Sequence, residues 1–457
     1  MSHVRQGFAA AVRASVDDGL SELLEIVRMP SHASDMAAKK ACAARLNAIL
    51  RTDGWHAEVH EVGRNPVVLA SLDLAASPRE TVLLYGHYDV QPAEPLDAWQ
   101  SPPFEPQVRD GRIYARGIAD NKGQFFCHLL AVRALRSCGL TPPLRLRLVL
   151  DGEEEMGSPS MPLLVQDHRS RLDASLMVTA DGPVHPSGRP LVCFGVRGVL
   201  KLRLAVRTSA QDRHSGNFGN IAPNAALRLA HILASLKGED GRVRVSGFYD
   251  DVRPPGARER EALAKVPFDE DEVSRMLGAT ALDGPMDVPP AERLMFLPTF
   301  NVTGFSSGYS GPDFKTVIPC EAHAQIDIRL VVDQDPDRIF ALLRDYLQAR
   351  YPEAELTRLG HYHPSRTSLD TPYAAIAVAA VREGFQAEPV VYPSLGASSP
   401  DAVFAGSLGI PSILIPYGNA DEANHAPNEN LRLDHLEAGV RTSAALFLAL
   451  GERGGAS

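Results

Sequence analysis

The chain has few cysteines and no CxxC pair. Cys42, Cys127, Cys138, Cys193 and Cys320 are odd in number and mostly sit in apolar segments, as buried thiols do. That leaves no framework of paired thiols and fits a reducing, cytoplasmic setting. There is no excess of positive charge either. The formal net charge is −10, so nothing electrostatic recommends nucleic acid or an anionic membrane, both of which reward clustered Lys and Arg. No apolar run is long enough to cross a bilayer, and the opening MSHVRQGFAAAVRASVDD lacks a long apolar stretch after its basic residues. Neither membrane insertion nor secretion is expected, and a small molecule is the expected partner. Internal repeats and low-complexity segments are also missing.

What is present is enough chain, 457 residues, for two or three domains with substantial cores. From Leu20 to about Val196, helix-like segments alternate with short apolar strands. Ala37–Arg51 and Gln124–Arg136 read as helices; Thr81–Tyr85, Leu144–Leu150 and Ser175–Thr179 read as strands. This alternation predicts an α/β unit with a mostly parallel sheet. From about Arg197 to His363 the order becomes strand, helix, strand, strand, helix, strand (Val199–Arg207, Pro223–Leu236, Phe300–Phe305, His323–Val331, Asp337–Arg350, Glu355–Tyr362). That is the order of a ferredoxin-like α+β unit. Pro223 suits a first helical position, and the Pro-rich, charged stretch 238–298 reads as an insertion. The α/β pattern resumes with a helix near Tyr373–Glu383, a strand at Pro411–Pro416 and a closing helix at Leu433–Leu450. The expected organisation is a catalytic domain of residues 1–196 and 364–457, interrupted by a second domain of residues 197–363.

The α/β part places acids and histidines just after predicted strands, where open α/β sheets hold their ligands. His87 and Asp89 follow Thr81–Tyr85, Asp151-Gly-Glu-Glu-Glu155 follows Leu144–Leu150, Asp181 follows Ser175–Thr179, and His425 lies in the loop after Pro411–Pro416. Asp120, in RGIADNKG, opens a helix, where an ordinary cap is the alternative. A lone loop histidine is usually a surface residue, and an acidic turn is usually solvated. Glu153, Glu154 and Glu155, however, come directly off a strand expected to be buried on both sides, and carboxylates packed there cost energy unless a cation compensates. Imidazoles among carboxylates suit zinc, manganese or cobalt. Five ligands exceed one tetrahedral ion and suit two ions ~3.5–4 Å apart, bridged by a carboxylate and a hydroxide. Asp89, on the same side of an extended chain as His87, can accept the other imidazole N–H and fix the tautomer.

Taken together, GHYDVQP, RGIADNKG, EEEMGS, TADGP and NHAPNE, in this order, resemble the M20 family of metallopeptidases. The resemblance implies a zinc-peptidase-like catalytic domain with a lid and dimerisation domain, and two metal ions. It assigns His87 and Asp181 to one ion, Glu155 and His425 to the other, and Asp120 to both. It makes Glu154 the general base and leaves Glu153 without a role. The hydroxide between the ions would attack an amide carbonyl, with Glu154 taking its proton and handing it to the leaving amine. A lid histidine, His214 in DRHSGNFGN, would stabilise the oxyanion from the other subunit of a homodimer.

The segment LPTFNVTGFSSGYSGPDFKTVIPCEAHAQIDIRLV looks most like the carnosinase and non-specific dipeptidase branch. There Thr316 and Arg329 would hold a substrate's terminal carboxylate, a role that suits the planar guanidinium fork. Gly396 and Ser398 of SLGASSPD match the family's small-residue loop near the substrate, although Ala397 departs from its usual Gly-Gly-Ser. His361 in GHYHP is a further candidate contact. The activity implied is hydrolysis of dipeptides or small peptides with a free terminal carboxylate, the alternative being an N-acyl- or N-carbamoyl-amino-acid amidohydrolase on the same metal site.

Overall fold

The computed structural model describes residues 2–279 and 282–453. The apolar run at Thr81–Tyr85 forms the strand Glu80–His87, in the interior of an eight-stranded sheet. In spatial order the strands are His56–Val62, Asn65–Asp73, Leu144–Asp151, Glu80–His87, Leu176–Thr179, Ser412–Leu414, Leu191–Cys193 and Val390–Tyr392. Leu144–Asp151 and Leu176–Thr179 flank the Glu80 strand in parallel, and Ser412–Leu414 extends the parallel set. The antiparallel pairings lie towards the two edges. At one edge is the hairpin His56–Val62/Asn65–Asp73, and at the other Leu191–Cys193 meets Ser412–Leu414. The sheet is thus mixed, with four parallel pairings and three antiparallel ones.

Alternation along the Glu80 strand decides which layer each side chain serves. Val82 and Leu84 pack on one face with Leu23, Phe125, Phe126, Leu129, Val440 and Phe447, from the helices Ser2–Val27, Gly123–Ser137 and Leu433–Arg453. Leu83 and Tyr85 pack on the other with Met161, Leu164 and Phe404, from the helices Met161–Leu172 and Asp401–Leu408. With both faces covered, the strand ends hold the polar groups.

Residues 198–362 supply the four-stranded antiparallel sheet, in the spatial order Thr299–Ser307, Glu321–Leu330, Gly198–Arg207, Ala354–Tyr362. This is the ferredoxin-like arrangement. Leu200, Leu202, Leu204 and Val206 alternate inwards from the Gly198 strand and pack on Leu229, Ile232, Ile339 and Leu343 of the helices Ala225–Leu236 and Pro336–Arg350. Pro223 is not the first helical residue. Asn224 caps the helix by accepting the Leu227 N–H at 3.2 Å, so Pro223 precedes the cap. The insertion 238–298, of which residues 280 and 281 lie outside the described residues, contains the short helices Ala257–Leu263, Glu270–Leu277 and Pro290–Phe296. Met295 and Phe296 pack with Leu191, Val390 and Tyr392 at the edge of the large sheet, tying the two sheets' surroundings together.

Candidate metal centre

The Glu80 strand ends on His87, which is buried, and Gly86 just before it makes room for that. A Cβ on Gly86 would stand 2.5 Å from the Phe125 side chain and 3.1 Å from Asn121 Oδ1, so the helix carrying Phe125 could not approach as closely. His87 Nδ1 faces Asp89, 3.3 Å from its Oδ1 and 3.2 Å from its carbonyl oxygen. Its Nε2 points the other way, 3.0 Å from Asp120 Oδ1 and 3.9 Å from Asp181 Oδ2. The second oxygen of Asp120 lies 2.9 Å from His425 Nε2, which in turn is 3.3 Å from Glu155 Oε2. Asp120 therefore presents one oxygen to each histidine. Two ligand-competent groups result, His87–Asp120–Asp181 and Asp120–Glu155–His425, sharing Asp120.

The loops that carry these side chains are held by hydrogen bonds from main-chain N–H groups and from side-chain amides. Asp89 accepts the N–H groups of Glu154 and Glu155 at 3.1 and 3.0 Å, which aims both glutamates from the turn after Leu144–Asp151. Asn121 donates to Asp181 Oδ1 at 3.0 Å and accepts the His87 N–H at 3.2 Å. Gly182 N–H donates to Asp181 Oδ1 at 2.8 Å, and Gln91 to Glu155 Oε2 at 2.8 Å. His425 sits at φ 56° in its loop, a left-handed conformation uncommon for non-glycine residues outside functional loops.

Charge is crowded here. Burial opposes a charged His87, but Asp120 and Asp89 outweigh it and hold the ring well above the usual histidine range. His425 is raised to about 10 by Asp120 and Glu155. Against burial, the two histidines hold Asp120 well below the carboxylate range. Asp181 is pushed up to about 7 by burial and then by Asp120. Burial raises Glu154 well above its usual range; Asp181, Asp120 and Glu155 add to this against the pull of His87. Buried atoms without a hydrogen bond here include Glu155 Oε1, both carboxylate oxygens of Glu422 and, despite its position beside Asp120, His87 Nε2. A surplus of carboxylates, two imidazoles and unpartnered donor atoms facing inwards is a donor set that divalent cations would satisfy.

The other candidate residues fall into three places. His214 and Thr316 stand together on an exposed part of the lid, with His214 Nε2 3.3 Å from Thr316 Oγ1 and Nδ1 accepting the Gly216 N–H at 3.0 Å. Arg329, on Glu321–Leu330, donates from Nη1 to Ser398 Oγ at 2.9 Å and from Nε to Asp327 Oδ1 at 3.2 Å, while the Gly396 carbonyl accepts from Arg197. His361 is exposed, stacks edge-on against His363 and lines a cleft of about 1270 Å³ with Tyr362, Gly157 and Ser158.

Sequence reasoning passed over Glu429, the last acid of NHAPNE. It is fully buried. Its Oε1 accepts the N–H groups of Ala119 and Asp120, and its Oε2 those of Gly117 and the Arg116 side chain. The available signal was an acid immediately before the short strand Asn430–Arg432. Lys122 of RGIADNKG was also passed over. It is buried and donates to the Ile26 and Met29 carbonyls at 3.1 and 2.7 Å, closing the end of the first helix.

Residues 83–449 match the profile of peptidase family M20/M25/M40. The human Beta-Ala-His dipeptidase is 29% identical over 401 residues, 85% of this chain and 78% of that one. A Cys-Gly metallodipeptidase of Saccharomyces cerevisiae is 24% identical over 97% of this chain and 98% of its own. A crystal structure described as the M20 family metallo-carboxypeptidase Sso-CP2 from Sulfolobus solfataricus superposes with a TM-score of 0.88 at 31% identity, covering 95% of this chain and 99% of that one. No helix among the described residues is long and apolar enough to cross a membrane. With the profile spanning most of the sequence and the same fold in Sso-CP2, the chain belongs to peptidase family M20/M25/M40 and is a metallopeptidase.

Proposed function

We propose that the chain is a dipeptidase, hydrolysing the amide bond of dipeptides or small peptides that carry a free C-terminal carboxylate. The observation that carries this reading is Asp120, with one carboxylate oxygen 3.0 Å from His87 and the other 2.9 Å from His425. Relatives named as dipeptidases support the substrate class.

In this reading His87 and Asp181 would hold one divalent ion and Glu155 and His425 a second, with Asp120 available to both, zinc preferred and manganese or cobalt as substitutes. When bound, such ions supply Lewis acidity to the amide carbonyl and to a water. The remaining work belongs to the chain. Glu154, with its proton affinity raised by burial, takes a proton from the attacking water and delivers it to the leaving nitrogen. Asp89 orients His87 through Nδ1 and Glu154 through its main chain. Arg329, with Ser398 and Gly396, receives the substrate's carboxylate; Thr316, 3.3 Å from His214, reaches that carboxylate from the same protomer as that histidine, and His361 is a further contact.

His214 stabilises the oxyanion of a neighbouring protomer's substrate, which makes the working unit a homodimer joined through the lid. Supporting this, the edge strand Thr299–Ser307 exposes Val302 and Phe305, at 45% and 51%, and the lid also exposes Ile221 and Leu227. Five unpaired cysteines fit a cytoplasmic setting.

Metal analysis combined with a panel of dipeptides, N-acetyl-amino acids and N-carbamoyl-amino acids tests the proposal. Bound divalent metal and cleavage of dipeptides are the expected result. Cleavage of the acylated compounds alone overturns it in favour of the amidohydrolase.

A further inference from the structure

Arg197 stands where the chain leaves the catalytic sheet for the lid strand Gly198–Arg207, and it is 6% exposed. It grips one loop three times. Its main-chain N–H donates to the Leu395 and Ala397 carbonyls at 3.3 and 3.0 Å, and its Nε donates to the carbonyl of Gly396, between them, at 2.7 Å. The approach is close enough that a Cβ on Gly396 would stand 2.9 Å from Leu294 Cδ1 and 3.4 Å from Arg197 Nη2. Ser398, on the same loop, accepts from Arg329 Nη1.

The charge arrangement is unusual for a buried arginine. Arg197 Nη1 is buried with no hydrogen-bond partner. Burial, and then repulsion from Arg329, lower Arg197 to about 10, with Asp327 opposing. Asp327 is already paired with Arg329 at 3.2 Å. Two guanidinium groups and one carboxylate leave one positive charge unmatched in a chain whose formal net charge is −10. A buried cation is expensive unless an anion completes it, and the anion that the dipeptidase reading brings beside Arg329 is a substrate carboxylate.

We propose that Arg197 is a positioning and specificity-determining residue for the substrate's terminal carboxylate. It locks the Leu395–Ser398 loop so that Ser398 fixes the fork of Arg329, and it adds a second positive charge beside Arg329 that favours an anion there. The inference rests on the dipeptidase reading above.

The test uses the full-length, metal-loaded protein, an unmodified dipeptide and the C-terminal amide of the same dipeptide. In the wild type, kcat/KM for the free acid exceeds that for the amide. Arg197→Gln is expected to reduce this preference by about tenfold or more, through KM for the acid more than through kcat. Arg197→Lys keeps the charge without the fork and is expected to recover part of the preference. A purely structural role would lower both substrates together. An unchanged acid-to-amide ratio in Arg197→Gln overturns the proposal, as does a lysine variant no better than the glutamine one. If the glutamine variant does not fold, the lysine variant decides alone: a ratio at least about threefold below wild type supports the assignment and an unchanged ratio overturns it. A wild type that cleaves neither compound overturns the dipeptidase reading and this inference together; a discriminating wild type with indifferent variants overturns this inference only.

Discussion

Glu429 and Arg116 form an ion pair of 2.6 Å between side chains that are 0% and 1% exposed, and the same carboxylate accepts the Asp120 N–H at 3.1 Å. A surface pair would contribute little. Here, removing one partner leaves a buried charge unpaired and strips acceptors from the main chain of Gly117, Ala119 and Asp120. Glu429→Ala is therefore expected to destabilise the protein by about 3–5 kcal/mol, read from its urea midpoint. It should also lower metal content, because Asp120 loses its fixed approach to both histidines. An alanine variant with a wild-type midpoint and full metal content would show that the clamp does neither.

Metal removal should be visible in stability as well as activity. Each ion that binds only the folded chain at a hundredfold excess over its Kd adds about 2.7 kcal/mol, so chelation is expected to lower the unfolding midpoint and metal to restore it. The proton balance gives a second readout. With His425 raised to about 10 and Asp181 to about 7 in the chain alone, loading at neutral pH must expel protons from both. Affinity should therefore rise from pH 6.5 to pH 8, with protons released into the buffer during a calorimetric titration. Affinity that is independent of pH would contradict this ligand set.

His128 provides a pH test away from the metal centre. It is fully buried, with Nδ1 3.0 Å from Ser443 Oγ and Nε2 without a partner, and burial pushes it down to about 3. The unfolded chain therefore takes up this proton first. His128 contributes stability above about pH 6.5, and that stability drains as the pH falls towards 3. Between pH 7 and pH 5 the wild type is expected to lose about 2 kcal/mol more than His128→Gln. Parallel stability curves for the two proteins would mean that the ring is not held neutral.

The parts of this architecture that could be read from residues alone were those with periodicity or a junction. Thr81–Tyr85 announces a buried strand by its apolar run, and His87, Asp181 and His425 stand close behind such runs, where a sheet delivers side chains to a common edge. The lid's order of strands and helices was equally open to reading, because Leu200, Leu202, Leu204 and Val206 take every second position with Lys201 and Arg203 among the residues between them. Leu191–Cys193 and Val390–Tyr392 were not, since three residues cannot display a period. The hairpin His56–Val62/Asn65–Asp73 was also hidden, because its second strand is buried almost throughout and shows no alternation. Glu429 and Arg197 escaped for another reason. Their partners lie far along the chain, and neither an acid before a short strand nor an arginine between two apolar strands names its partner locally.

The position of His214 leads to the last prediction. Its ring is exposed and bonded to Gly216 and Thr316, whereas Glu154 lies among the buried carboxylates of the metal centre. If the lid histidine serves a partner's site, the two residues act in different chains. Glu154→Gln should bind metal normally and lose roughly 100- to 10,000-fold in kcat; His214→Ala should lose roughly 100- to 1000-fold. Unfolding the two inactive variants together and refolding them as an equal mixture creates mixed dimers. In each, the His214→Ala protomer keeps its Glu154 and receives an intact His214 from its partner, while the other site lacks both groups. One competent site in half of the dimers amounts to about a quarter of wild-type activity for a two-fold symmetric pair. Recovery near that level, absent when either variant is refolded alone, is the expected outcome; a mixture as inactive as its components would place His214 outside the partner's chemistry.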